Sequence, residues 1–100
     1  MTPQLTREVL EQALGLLERD GWAQNTYGPL DPKTRGPRCM IGAVIAGCRA
    51  VSGWPNVEES IDALGELSGV GEKVSLWNDT RGRTKDEVLA AVRKAIDAVR

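Results

Sequence analysis

The stretch CMIGAVIAGCRAV, Cys39 to Val51, decides the fold of this chain. It is apolar almost all the way round a helical wheel, and only Arg49 interrupts it. A helix with no polar face belongs in an interior, so the pattern predicts a buried central helix over about 39–51. Its large residues, Met40, Ile41, Val44, Ile45 and Cys48, fall on one side. Its small ones, Gly42, Ala43, Ala46, Gly47 and Ala50, fall on the other. Each mid-helix glycine costs about 1 kcal/mol relative to alanine. Two of them predict a close approach by another backbone.

The flanking sequence supplies three further helices. Thr6 is a suitable N-cap for the first, with Glu8 in its first turn. Val9, Leu10, Ala13, Leu14 and Leu17 follow at helical spacing, and Gly21 is placed to end it in the left-handed conformation. Asn56 and Glu59 form a capping-box pattern ahead of Ile61, Leu64 and Leu67. Thr84 and Glu87 form a second one ahead of Val88, Leu89, Val92, Ala95, Ile96 and Val99. Val74 to Trp77 reads equally as a helical turn or a short extended piece. Residues 23–38 carry Gly28-Pro29, Asp31-Pro32 and Gly36-Pro37, which are strong turn signals. The expected architecture is all-α: one compact four-helix domain spanning 1–100, with a long loop at about 23–38. Loops of that length are often functional.

Composition removes several function classes. A hydrophobic content of 41% is globular, and a net charge of −1 exerts no general pull on nucleic acid or anionic membranes. No apolar run reaches the roughly 20 residues that span a bilayer. The chain has no histidine, which removes the commonest general base and metal ligand. Cys39 and Cys48 stand about 13 Å apart by helical rise, too far for a disulfide. Two unpaired thiols and no leader-like segment predict a reducing, cytoplasmic setting. No cofactor or metal is expected. Two distant cysteines do not make a zinc site, and the Asp79–Arg83 run puts Arg81 and Arg83 where a calcium loop needs acids.

Several short motifs are similar to a known family. They are Gly21-Trp22-x-Gln24, Gly36-x-Arg38-Cys39-x-x-Gly42-Ala43, Trp77-Asn78-Asp79 and Thr84-x-x-Glu87-Val88. In order and spacing they resemble a family of small actinobacterial and actinobacteriophage proteins without assigned activity. The resemblance implies a source class and one compact helical unit, and it implies no reaction.

Two candidate sites emerge. Cys39 opens the central helix, where free N–H groups and the neighbouring Arg38 favour a thiolate; alternatively it is a small buried hydrophobe beneath the loop. Asn78 and Asp79 either shape the turn into the last helix or face Arg38 and Cys39 across a pocket, with Asp79 paired to Arg38. Trp22, Trp54 and Trp77 flank helix ends. They either cap corners of the core or leave one ring exposed beside Tyr27 as an interface anchor.

The favoured expectation is a non-enzymatic interaction or accessory module. It would bind an unidentified protein, host or self, through the 23–38 loop, with Tyr27, Arg35, Arg38 and Trp54 as contacts. A small-molecule or cysteine-dependent site at Arg38, Cys39, Asn78 and Asp79 is the alternative. A weak nucleic-acid binder is the third option, using Lys33, Arg35, Arg38 and Arg49 together with Arg81, Arg83 and Lys85. The acidic third helix, with Glu58, Glu59, Asp62 and Glu66, opposes that option.

Overall fold

The computed structural model describes residues 1–71 and 73–100. Among them are five helices: α1 (Pro3–Asp20), α2 (Met40–Ala50), α3 (Val57–Ser68), α4 (Val74–Asn78) and α5 (Lys85–Ala98). The described residues hold no strand, only an isolated parallel bridge between Trp22 and Arg38. The fifth helix is the short α4, which resolves the ambiguous Val74–Trp77 stretch as helical.

The cap of α1 lies four residues earlier than expected. Thr2 is the N-cap, its hydroxyl accepting from the Leu5 N–H at 3.2 Å, and Pro3 occupies the first turn. Proline favours that position because its fixed φ is already helical and its missing N–H has no partner to lose. Thr6 instead turns its hydroxyl back onto the Thr2 carbonyl. At the other end Gly21 has φ 99° and ψ 174°, an extended positive-φ conformation rather than the left-handed helical one.

Both predicted cap signatures are present at α3 and α5, in different degrees. The Asn56 side chain accepts from the Glu59 N–H at 2.9 Å. Thr84 and Glu87 form the full reciprocal box. The Thr84 N–H, with the Arg83 guanidinium beyond it, holds the Glu87 carboxyl below the usual carboxylate range.

The core gathers Val9, Leu10, Ala13 and Leu17 of α1, Met40, Ala43 and Val44 of α2, Leu64 of α3, and Val88, Val92 and Ala95 of α5. The small face of α2 is what lets it lie so deep. A Cβ at Gly47 would stand 2.9 Å from the Val9 carbonyl oxygen and 3.2 Å from the Ala13 nitrogen, so α1 and α2 meet backbone to backbone. A Cβ at Gly42 would collide with the Tyr27 carbonyl, so the loop crosses the first turn of α2 in direct contact. Gly15 of α1 is different: nothing lies within 4 Å of where its Cβ would be.

These environments predict opposite signs for the same substitution. Gly15→Ala should stabilise by about 0.5–1 kcal/mol, because alanine lowers the conformational entropy of the unfolded chain and meets no clash in the helix. Gly42→Ala and Gly47→Ala should each destabilise by about 1–3 kcal/mol through overpacking. Urea denaturation midpoints of the three variants check both signs.

Candidate functional site

The segment between α1 and α2 is fastened at its two ends. The Ala23 N–H donates to the Arg38 carbonyl at 3.0 Å, and the Arg38 N–H donates to the Gly21 carbonyl at 3.2 Å. A compact excursion whose ends meet in this way has the form of an Ω-loop. Gly28, at φ 73°, lets the two limbs touch: a Cβ there would run into the Pro37 carbonyl.

Arg38 fills the inside of this loop and is 0% exposed. Its Nε donates to the Pro29 carbonyl at 2.6 Å. One terminal nitrogen donates to Asp20 Oδ2 at 2.7 Å and to the Gly36 carbonyl at 3.3 Å. The other donates to the carbonyls of Asp31, at 2.9 Å, and Thr34. All five guanidinium N–H groups are therefore engaged, as a buried charge requires. Arg38 reaches neither the surface nor a cavity, so it is not available as an interface contact or a pocket wall. Its ionic partner is Asp20, not Asp79.

Asp20 also forms a two-point pair with Arg19, at 2.7 and 2.6 Å, and lies 3.4 Å from Arg35. The Arg19 guanidinium, with Arg38 behind it, holds the Asp20 carboxyl well below the usual carboxylate range, against the effect of burial. Asp20 was not legible as a functional residue. The signal was there, however: an acid in the last turn of a helix opposes the macrodipole and needs a cation elsewhere.

A second fastening point is Asn78, 1% exposed. Its Oδ1 accepts from the Trp22 indole at 2.7 Å and from the Met40 N–H at 3.0 Å. Its Nδ2 donates to the Ala23 carbonyl at 3.1 Å and to Asp79 Oδ1 at 2.9 Å. One amide thus joins the start of the loop, the start of α2 and the end of α4. Gln24 reinforces the junction by donating to the carbonyls of Asn78 and Thr80. Asp79 Oδ1 also accepts from the N–H of Asn25, which sits at φ 62°. Asparagine tolerates that conformation better than most residues.

Beside this junction opens a cleft of about 560 Å³ lined by Asn25, Thr26, Tyr27, Cys39, Ser75, Asn78 and Asp79. The structure brings Cys39, Asn78 and Asp79 together there and leaves Arg38 out. Asn25, Thr26 and Ser75 were not anticipated, because only the fold brings α4 to the loop.

Cys39 is the N-cap of α2, its sulfur accepting from the Gly42 N–H at 3.3 Å. Burial pushes its thiol up, the Gly42 N–H works against this, and the charge of Asp79 adds to the upward shift. The helix terminus is outweighed, and the protonated thiol is the resting form. Burial likewise raises Cys48, whose thiol lies 3.7 Å from the Ser60 hydroxyl.

The model of a family of unknown function matches residues 1–98. The chain belongs to DUF6197. No curated protein and no solved structure matches it. Among the described residues no group of His, Cys, Asp and Glu is placed to hold a metal ion, and no helix is long and apolar enough to cross a membrane.

The remaining expected contacts lie apart. Tyr27 is 55% exposed at the cleft. Arg35 projects from the far limb of the loop, its side chain largely in solvent. Trp54 is 96% exposed at φ 59°, beyond the C-terminal end of α2, whereas Tyr27 crosses the first turn of that helix. The exposed tryptophan is thus not beside Tyr27. The basic patches are partly engaged internally: Arg38 is buried, Arg49 donates to the Leu30 carbonyl, and Arg83 stacks on Trp77 and pairs with Glu87.

Three measurements test this geometry. Arg38→Met should destabilise by about 3 kcal/mol or more, because it leaves Asp20 and four loop carbonyls without their buried donor. Asp20 is bound more tightly as the anion when folded, so its contribution is fully present above about pH 4 and is lost as pH falls toward its lowered value. Asp20→Asn should therefore lower stability at neutral pH and flatten the acid side of the stability profile, read by denaturant titration at each pH. For Cys39, reaction with an aromatic disulfide reagent at neutral pH should be slow in the folded protein. It should be at least about tenfold faster in denaturant; a fast, pH-saturated rate in the folded state would contradict the protonated thiol.

Proposed function

We propose that the chain is a non-enzymatic interaction module that docks a protein partner through the outer face of the 23–38 loop and the adjoining cleft. Tyr27 and Arg35 are its contacts, and the partner is a host protein or a second copy of the chain. The observation that carries this is the internal fastening of the loop by Arg38 and Asn78, with Tyr27 left exposed on it. A surface already ordered loses little conformational entropy on binding, and Tyr and Arg are enriched at binding hot spots. The chemistry of the thiols points the same way. Burial disfavours both thiolates, and the chain offers no histidine to serve as their base.

Four longer helices with α4 as a connecting turn make the scaffold in this reading. The reduced thiols support a cytoplasmic setting. The motif resemblance supports an origin in actinobacteria or their phages. Trp54, at the other end of α2, is a separate contact.

The test is capture from host lysate by immobilised protein, set beside light scattering for self-association. A retained species, or a dimer, should be lost in Tyr27→Ala and Arg35→Ala without a change in melting temperature. Binding that ignores both substitutions, or a monomer that captures nothing, refutes the reading.

A further inference from the structure

The cleft beside Tyr27 has a chemical character that narrows its occupant. At about 560 Å³ it falls within the range of ligand-binding clefts. Among the described residues of its lining Asp79 is the one that is formally charged, and none is cationic. The carboxylate is held in place: Oδ1 accepts from the Asn25 N–H and the Asn78 amide, both at 2.9 Å. Among the described residues Oδ2 has neither a hydrogen-bond donor nor an ion-pair partner. Arg83, a few residues along the chain, is committed elsewhere. It lies 3.8 Å over the Trp77 ring, donates to the Trp77 carbonyl at 3.0 Å and pairs with Glu87 at 2.9 Å. Ser75 and the half-exposed Tyr27 also line the cleft, and bring a hydroxyl able to accept and an aromatic face to a wall whose formal charge is negative.

Such a wall repels anions and favours a cation with an extended planar face. We propose that the cleft receives an arginine side chain of a partner protein, its guanidinium between the Tyr27 ring and the free oxygen of Asp79. The assignment rests on the loop being a protein-docking surface and adds the chemistry of what docks. Arginine fits better than lysine. Its delocalised, weakly hydrated plane stacks on an aromatic ring while an edge N–H reaches the carboxylate.

The experiment is an amide chemical-shift titration of the whole chain with N-acetyl-arginine amide. The neutral isostere N-acetyl-citrulline amide is the control. Saturable shifts should appear at Asn25, Tyr27 and Asp79, with citrulline weaker by about tenfold, the equivalent of about 1.4 kcal/mol. Asp79→Asn keeps an Oδ1 acceptor for Asn25 and Asn78 and should weaken arginine binding without lowering the melting temperature. Tyr27→Leu should weaken it as well, and its exposed position keeps folding out of the comparison. Equal binding of arginine and citrulline, an unaffected Asp79→Asn, or no shift up to the solubility limit of the probe each overturn the assignment. None of these results touches the docking reading, which depends on Tyr27-dependent capture.

Discussion

The five N–H groups of one guanidinium set the shape of everything between α1 and α2. Arg38 stands just before the buried helix, and its donors reach the end of α1 and four carbonyls of the loop. A charge fully removed from water is tolerable only when every donor is met. That requirement admits few backbone paths for the loop. The same arrangement draws Asp20 inward and recruits Arg19 and Arg35 around it. The polar centre of the loop is therefore as constrained as the apolar centre of the domain.

Asn78 does for the junction what Arg38 does for the loop. It meets a donor from α2, a donor and an acceptor from the chain leaving α1, and the carboxylate beside it. The cleft opens between the loop and α4 beside the Asn78 junction, with the half-exposed Tyr27 in its wall. Cys39 lies at the floor of that space as the cap of α2. Its position, which suggested reactivity, is one where loss of hydration outweighs the helix terminus.

Much of the scaffold was legible because its signals are local. The apolar run at 39–51, the glycines demanding a close neighbour, and the Thr84–Glu87 box each declare themselves within a single helix or at its cap. The start of α1 differs from the expected one because Pro3 makes Thr2, rather than Thr6, the favoured cap. The site was legible only in fragments. Arg38, Cys39, Asn78 and Asp79 were selected together, yet the pairing of Arg38 with Asp20 depends on a loop closing over many residues, which spacing does not encode. Asn25, Thr26 and Ser75 were invisible for the same reason. Their meeting is a property of how α4 folds against the loop, and none carries a signature alone.

Of the five groups that hold Arg38, one is the Asp20 carboxylate and four are main-chain carbonyls, those of Pro29, Asp31, Thr34 and Gly36. A peptide oxygen is the same whichever residue bears it. Outward side chains on this segment can thus change during divergence, or in a designed library, while its contour persists. A scaffold of this kind separates what is displayed from what does the displaying, much as a printing frame accepts new type.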